Sequence, residues 1–379
     1  MGQRSNRMLS NPRFMRGMSL PEILAAVLIG LIGMIVIMQV YATSEERKRT
    51  TTGTSDAQIN GNIAMFTLET TMRSAGFGMV SATSNMLGCT TLAYNSNRAT
   101  PDFPFLMAPV VITAGDGAGH GELNTDTIRV IYGSSPNVVE GNPFVSSAAS
   151  GADIPLKNAA GILVGDLVVA SETGRDCSMA EVTGFLPASI NTVVHANAAP
   201  YSYVNAAGTT ISPTATYNKA GGSGVNYTSS ALLYTLGRAP TVVTYQIGND
   251  KLQTRTLMPY VAAQDADGDG TSDADIGDGI VQLKAQYGKD LNGNGIIESS
   301  EWNTTLPADA TQWMQVRAIR VALLARSQKF EKTAVTPAAP TWTGGAFIMA
   351  NPVDGTDWHY YRYRVYETIV PLRNMIWSN

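Results

Sequence analysis

Two acidic segments carry oxygen-donating side chains at a spacing that suits a calcium ion. In residues 290–301 the donors stand at the first, third, fifth, ninth and twelfth positions: Asp290, Asn292, Asn294, Glu298 and Glu301. A glycine stands at the sixth position, and Ile296 at the seventh offers its backbone carbonyl. Calcium takes six to eight oxygen ligands, and this spacing wraps them around one point. The segment is therefore predicted to bind Ca2+.

The second acidic segment, residues 265–275, follows the same pattern less completely. Its oxygen donors stand at the first, third, fifth, seventh and ninth positions: Asp265, Asp267, Asp269, Thr271 (through its carbonyl) and Asp273. Ile276 replaces the terminal glutamate, as in the shorter calcium loops of secreted proteins that this segment resembles. The six aspartates between residues 265 and 278 would repel one another without a metal. A second Ca2+ loop and a solvated acidic linker both remain open.

The residues flanking the two loops indicate strands or turns. Ile280–Tyr287 alternates imperfectly between apolar and polar residues and is followed by Gly288. The loops are therefore expected between strands, and not in a pair of helices that opens as a calcium sensor. Calcium would then stabilise the fold constitutively, as in extracellular modules.

No enzymatic motif accompanies these loops. His120, His195 and His359 are scattered, and the chain contains no HExxH, no CxxC, no P-loop and no GxSxG. The formal net charge of −4 gives no reason to expect a nucleic-acid partner. The sequence therefore predicts a protein without catalytic residues.

The N-terminus contains a segment long enough to cross a membrane. Ile23–Ala42 is almost entirely apolar, and about twenty helical residues span the roughly 30 Å of a bilayer core. Four arginines and no acidic residue precede it within the first 16 residues, which orients the N-terminus toward the cytoplasm. A secretory signal cleaved after Ser44 would share these features, but the length of the apolar run and Glu22 at its start argue against it. A plain signal anchor, in which Glu22 merely marks the membrane interface, remains an alternative.

Arg16–Gly30 (RGMSLPEILAAVLIG) resembles the type IV prepilin signature, a short basic leader that ends in glycine. The resemblance implies that prepilin peptidase cuts between Gly17 and Met18 and methylates the new amine. Glu22 then occupies the fifth mature position, where it would pair with the N-terminal amine of a neighbouring subunit. A carboxylate at the edge of a membrane span needs such a partner.

Further segments resemble PilW-type minor pilins and occur in the order found in that family. They are Asn60–Met79, Gly279–Asp290, Trp313–Ser327 and the C-terminal YRYRVYETIVPLRN. The resemblance implies an α+β, pilin-like fold in which a long N-terminal α-helix packs on a large antiparallel β-rich head. It divides the chain into a leader (1–17), a transmembrane or filament-core half-helix (18–43), an amphipathic half-helix (44–76) and the head (77–379).

The head is expected to consist of short strands joined by long loops. Predicted strands are Thr127–Tyr132, Leu163–Ala170, Ala231–Thr235 and Val242–Ile247, with a hairpin turn at Gly248-Asn249-Asp250. A stripe of the helix should form the core, with Ile59, Ile63 and Phe66 extended by Met65, Leu68 and Met72, and Gly76 should end the helix. Residues 190–230 are either a long loop or a surface insertion. Cys89 and Cys177 could be buried thiols, but export favours a disulfide.

By this resemblance the chain is expected to be a minor pilin that helps to start type IV pili at their tip. Its implied partners are other minor pilins, the major pilin, a PilY-type tip adhesin and prepilin peptidase, first in the bacterial inner membrane and then in the extracellular pilus. The alternatives are a pseudopilin of a type II secretion system and a calcium-dependent membrane-anchored adhesin. A membrane-bound hydrolase would require a convergent polar pocket in the head.

Overall fold

A computed structural model describes residues 19–79, 86–115, 124–137, 140–349, 351 and 355–376. Helix α1 (Leu20–Ser74) opens the described chain. It ends where Gly76 adopts a φ of 76°, the left-handed conformation that only glycine adopts without strain, as predicted. The described residues up to Gly53 form one compact unit, and those from Thr54 onward form a second.

The second unit continues with strands and short helices. The strands are β1 (Thr90–Leu92), β2 (Phe105–Leu106), β3 (Val110–Thr113), β4 (Thr127–Tyr132), β5 (Asn142–Pro143), β6 (Ile154–Pro155), β7 (Leu167–Ser171), β8 (Cys177–Glu181), β9 (Gly184–Leu186), β10 (Ser189–Val194), β11 (Tyr203–Val204), β12 (Thr210–Ile211), β13 (Leu232–Gly237), β14 (Thr241–Gly248), β15 (Lys251–Met258), β16 (Ser272–Asp278), β17 (Ile280–Lys289), β18 (Trp302–Asn303), β19 (Val316–Arg326), β20 (Thr341–Trp342), β21 (Gly345–Ala346) and β22 (Tyr363–Pro371). The helices are α2 (Ala310–Gln315), α3 (Arg373–Ile376) and the 3-10 turns Ala262–Gln264, Ser299–Glu301 and Trp358–Tyr360.

Three larger sheets organise this unit. Their strand orders are β2-β1-β8-β7-β13-β5, β16-β15-β14-β4-β3 and β18-β17-β19-β22. Among the described strands, β1 and β8 pair in parallel, and the other pairings are antiparallel. The predicted α+β class with an antiparallel β-rich head is confirmed.

The main core lies between α1 and these sheets, and a second core lies beneath β7. Leu167 and Val169 face the main core, whereas Val168 and Ala170 face the second core with Phe144. Successive residues of a strand point to opposite faces, so β7 is buried on both sides. Its sequence therefore lacks the polar alternation of a half-exposed strand.

The buried face of α1 differs from the predicted one. Leu68 and Met72 are fully buried, whereas Ile59, Ile63 and Phe66 are 54%, 50% and 70% exposed. The prediction that Ile59, Ile63 and Phe66 lie in the core is therefore wrong, whereas the prediction is correct for Leu68 and Met72. Two apolar faces run along this segment, and helical periodicity cannot tell which one the sheets will cover.

Gly61 explains why the sheets cover the face with smaller residues. The ring of Tyr366 on β22 lies so close to Gly61 that a Cβ atom there would fall 2.2 Å from it. The Tyr366 hydroxyl donates hydrogen bonds to the carbonyls of Ala57 and Gln58 at 3.3 and 3.2 Å. Gly61, which lowers the helix propensity, is thus the point at which α1 contacts β22, an edge strand of its sheet.

Three further predictions concern the hairpin at Gly248–Asp250, the strand that includes Ala170 and residues 190–230. The hairpin between β14 and β15 is confirmed, with Asn249 and Asp250 at φ of 53° and 59°, as a two-residue turn of this kind requires. The strand predicted from Leu163 begins at Leu167 because Asp166 accepts the Leu163 N–H at 2.9 Å and closes a turn. Residues 190–230 contain most of β10 and the short strands β11 and β12, and within them the N–H groups of Thr216 and Tyr217 donate to the Glu181 carboxylate.

Cys89 and Cys177 form the predicted disulfide, which links the residues just before β1 to the start of β8. The two cysteines are separated by 88 positions in sequence. In the chain-entropy account, closing a loop of this length stabilises the fold by about 4–5 kcal/mol. The bridge therefore secures the parallel β1–β8 pair, which lies between β2 and β7 in its sheet.

The assignment of the buried helix face can be tested by two truncations. We expect Leu68→Ala to lower the free energy of unfolding by about 2–5 kcal/mol, because it leaves a cavity in the core. Ile63→Ala on the exposed face should change it by less than about 0.5 kcal/mol. Urea unfolding of the full-length protein in detergent measures both variants. A larger loss for Ile63→Ala than for Leu68→Ala would place the core on the other face.

Candidate functional site

The first part of α1 is long and apolar enough to cross a membrane. This stretch, Leu20–Glu45, has none of its most apolar window buried within the structure. Side chains such as Leu28, Ile32 and Ile37 are more than half exposed. Exposed apolar surface of this extent marks contact with lipid or with other proteins. Length and composition therefore fit a membrane anchor.

Glu22 lies in the first turn of α1. The Ser19 N–H donates to Glu22 Oε2 at 3.3 Å, and the Glu22 and Ile23 N–H groups donate to the Ser19 carbonyl. A carboxylate in this position also interacts favourably with the positive end of the helix dipole. Glu22 is exposed, so its carboxylate is accessible to a partner. Gly17 and Met18, the predicted processing residues, lie outside the described residues.

The predicted calcium loop at residues 290–301 connects β17 to β18. Asp290 Oδ2 accepts the Gly295 N–H at 3.0 Å, and Asn292 and Asn294 each accept the N–H two residues further along, at 3.0 and 2.8 Å. Gly293 and Gly295 have φ of 73° and 78°, which permits the tight reversal. These contacts reverse the chain, and the Asn292 and Asn294 amides both donate to Glu298 Oε1, at 3.4 and 3.3 Å.

Glu301 closes this loop from its far end. Its two carboxylate oxygens accept the N–H groups of Leu291 at 2.9 Å and Glu298 at 2.8 Å. Glu301 and Asp290 are 4% and 6% exposed. Asp290 Oδ1 is buried and accepts no hydrogen bond from the described residues. A buried carboxylate oxygen without a partner is costly, so the donor set fits a hard cation such as Ca2+.

The loop that begins at Asp265 has the same backbone hydrogen bonds, between β15 and β16. Asp265 Oδ2 accepts the Gly270 N–H at 3.0 Å, and Asp267 and Asp269 accept the N–H groups of Asp269 and Thr271 at 3.2 and 2.8 Å. Carboxylate oxygens of Asp265, Asp267 and Asp269 lie within 4.8 Å of one another. The structure therefore brings together the predicted residues of the first, third and fifth positions in this loop, whereas in the loop at residues 290–301 it brings Asn292 and Asn294 together at Glu298.

Two basic residues of β15 contact the aspartates of this second loop and of β16. Arg255 forms ion pairs with Asp267, Asp269 and Asp273. Lys251 Nζ lies 2.7 Å from Asp275 Oδ2 and 3.3 Å from Asp278 Oδ1. The hydrogen bond from Lys251 holds the pKa of Asp275 below its ordinary value. The repulsion expected between the aspartates is thus offset by the neighbouring strand.

Sequence reasoning missed these basic residues although a signal was present. The predicted hairpin places Lys251–Arg255 in a strand, and β15 pairs with β16 in a register that sets Arg255 opposite Asp273. Alternate residues of a strand share one face, so Lys251, Gln253 and Arg255 meet the acidic strand together. The signal was the matching alternation of basic and acidic residues in two consecutive strands.

Arg98, also unnoticed in the sequence, supports the Asp265 loop from below. It is 7% exposed and its guanidinium lies 4.3 Å from the centre of the Phe103 ring and 5.5 Å from that of Tyr260. Burial lowers the pKa of Arg98, while neighbouring Tyr260 and Asp265 act in the opposite direction. A Cβ atom at Gly270 would lie 2.5 Å from its Nη2 atom.

His195 and His359 form no hydrogen bond to a serine hydroxyl among the described residues. The His195 ring, through Nε2, lies 2.8 Å from the Ala152 carbonyl, and the His359 ring pairs with Asp357. A cavity of about 260 Å³ next to β7 and β8 is lined by His195, Ser150 and the exposed ion pair between Lys219 and Asp102. Ser150 in this cavity donates to the Gly221 carbonyl. His120 lies outside the described residues.

Residues 244–374 match the family model described as PilW, type IV pilus-assembly protein W. The match runs from β14 into α3 and contains both acidic loops. It confirms the predicted PilW-type resemblance over these residues. No curated protein and no solved structure gives a significant match.

The packing beneath the two loops predicts different responses to the same substitution. Gly270→Ala and Gly295→Ala both force alanine into a left-handed conformation, which costs about 1–2 kcal/mol. Only Gly270→Ala must also displace the buried Arg98, because nothing lies within 4 Å of a Cβ atom at Gly295. We therefore expect Gly270→Ala to lower the urea midpoint of unfolding more. Equal midpoints would mean that Arg98 does not support the loop.

Proposed function

We propose that this chain is a minor pilin that helps to initiate type IV pili at their tip. The proposal is carried by the match of residues 244–374 to type IV pilus-assembly protein W. The exposed apolar segment Leu20–Glu45, long enough to span a bilayer, supports it. Before assembly, this segment anchors the subunit in the bacterial inner membrane with its N-terminus in the cytoplasm.

Assembly transfers the apolar helix from lipid to the filament. Prepilin peptidase cuts between Gly17 and Met18 and methylates the amine of Met18. The exposed Glu22 carboxylate then pairs with the N-terminal amine of a neighbouring subunit, because a carboxylate among apolar helices is stable only with a cationic partner. Contacts between apolar helices replace the lipid around Leu20–Glu45.

The exposed helix face supports contacts with other subunits. Ile59, Ile63 and Phe66 form an apolar stripe on the surface of the second unit, and such a stripe favours association. The partners are other minor pilins, the major pilin and a PilY-type tip adhesin. A head extending from residue 77 to residue 379 obstructs lateral packing along a shaft, which favours a place at the tip.

Mapping the mature N-terminus tests this function. In the native host we expect a chain that starts with methylated Met18 and that is lost when prepilin peptidase is deleted.

Glu22→Ala should leave cleavage intact and abolish incorporation into sheared pili, while Glu45→Ala serves as a matched control. An intact leader would overturn the proposal in favour of a membrane-anchored adhesin. Lost enzyme secretion with normal piliation in a deletion strain would identify a pseudopilin of type II secretion.

We also propose that the loop at residues 290–301 holds one Ca2+ ion. Its ligands are the side chains of Asp290, Asn292, Asn294 and Glu301, the Ile296 carbonyl, and Glu298 directly or through water. The buried and unpaired Asp290 Oδ1 supports this assignment. The ion ties the turn between β17 and β18 together and so stabilises the part of the head that matches the PilW family.

Removing the terminal glutamate should abolish the stabilisation by calcium. At about ten to a hundred times the dissociation constant, one bound ion adds about 1.4–2.7 kcal/mol to the free energy of unfolding. When calcium is added, we expect the free energy of unfolding of the full-length protein in detergent to rise by this amount. That of Glu301→Gln should not rise, and that of the exposed control Glu140→Gln should rise as much as that of the native chain. Equal gains in all three proteins on adding calcium to a chelator-treated sample would remove the site.

A further inference from the structure

We propose that Arg255 occupies, in the loop that begins at Asp265, the place that calcium takes in the loop at residues 290–301. The first seven residues of the two loops share the same backbone hydrogen bonds, but the loops differ in their charge compensation. The head accordingly binds one calcium ion, and replacing Arg255 with a neutral residue opens a second site. This inference deepens the proposed calcium role and rests on it.

The contacts of Arg255 match the ligand positions of the loop. Its Nη2 atom lies 3.2 Å from Asp267 Oδ2 and also contacts Asp269 Oδ2, and its Nε atom lies 3.4 Å from Asp273 Oδ1. These aspartates are the third, fifth and ninth residues of the loop. The guanidinium therefore donates to the same carboxylates that would coordinate a metal.

Arg255 is fixed in this position by its strand. Its side chain is 20% exposed, and the pairing of β15 with β16 places it directly opposite Asp273. A planar guanidinium with several N–H donors can contact several carboxylates at once, while the strand prevents it from swinging away. The cation is thus part of the fold and needs no ion from solution.

The remaining acidic residues near this loop are also neutralised by β15. Lys251 pairs with Asp275 and Asp278. Together, Arg255 and Lys251 pair with five of the six aspartates between residues 265 and 278. The sixth, Asp265, accepts hydrogen bonds on its Oδ2 atom from the Tyr260 hydroxyl at 2.8 Å and from the Gly270 N–H, while its Oδ1 atom is buried and accepts none from the described residues. Ion pairs to β15 thus compensate the other five aspartates, and Asp265 keeps one oxygen without a partner.

The loop at residues 290–301 has no such internal cation among the described residues. The Asp290, Glu298 and Glu301 carboxylates accept hydrogen bonds from backbone N–H groups and from the amides of Asn292 and Asn294. The nearest lysine in sequence, Lys289, directs its Nζ atom to the Thr305 carbonyl at 2.7 Å. This loop also retains the terminal glutamate, which supplies two ligands to calcium.

Arginine and calcium exclude each other at one site. Calcium requires six to eight oxygens at 2.3–2.6 Å, and the carboxylates that contact Arg255 cannot turn to an ion without leaving the guanidinium unpaired beside a divalent cation. A buried or half-buried arginine without a partner is unfavourable. The first seven residues of the two loops share their backbone hydrogen bonds, so the loops are distinguished by Arg255 and by the terminal glutamate at position 301.

The number of calcium ions bound per chain tests the inference. We would measure it by equilibrium dialysis with radioactive calcium on the full-length protein in detergent, at free concentrations up to about 10 mM, above the expected dissociation constants of about 10⁻⁴–10⁻³ M. We expect one bound ion in the native chain, none in Glu301→Gln and one in Asp267→Asn, because the native ion sits at residues 290–301. We expect two ions in Arg255→Gln. The control Arg255→Lys, which keeps the positive charge, should bind one. Near-ultraviolet circular dichroism confirms that each variant is folded.

The outcomes separate this inference from the proposed calcium role. Two ions in the native chain, with one lost in Asp267→Asn, would overturn the assignment of Arg255, and this result does not depend on the folding of any arginine variant. One ion in a folded Arg255→Gln variant would also overturn it. No ion in the native chain but one in Arg255→Gln would refute calcium at residues 290–301 and support the assignment of Arg255.

Discussion

The packing of the small-residue face of α1 against the sheets is the constraint on which the head depends. Ala64, Leu68 and Met72 are buried in the main core, and Gly61 lets the Tyr366 ring approach the helix. Strands β14 and β22 are tied to this face through the hydroxyls of Tyr245 and Tyr366. Because the helix fills this side of the core, its other apolar face is left at the surface. One packing choice thus creates both the core and an exposed apolar stripe on the opposite face of the helix.

The sheets held by this helix also position the two acidic loops. Each loop joins consecutive strands, β15 to β16 in one case and β17 to β18 in the other, and each uses a first-position aspartate to close the turn. Loop conformation is therefore set by local hydrogen bonds to backbone N–H groups. Charge compensation is set by which strand lies alongside, since β15 presents Arg255 and Lys251 to only one of the loops. Similar turns can in this way have different affinities for a metal.

The apolar segment and the head carry different parts of the function. Leu20–Glu45 can span a bilayer by length and composition, whereas the residues that match the PilW family lie in the head. The disulfide between Cys89 and Cys177 restricts the head by linking the residues before β1 to the start of β8.

The sequence by itself determined the features that depend on short stretches of chain. The apolar run, Glu22, the hairpin at Asn249-Asp250, the end of α1 at Gly76 and the donor spacing of both loops are local, so their residue types and spacing suffice. Only the tertiary structure decided which face of α1 is buried, because Ile63 and Leu68 are equally apolar and the choice depends on Tyr366, some 300 residues away. It also decided that Arg255 contacts the aspartates. Long-range contacts depend on how strands pair and pack, which the order of residues alone does not specify.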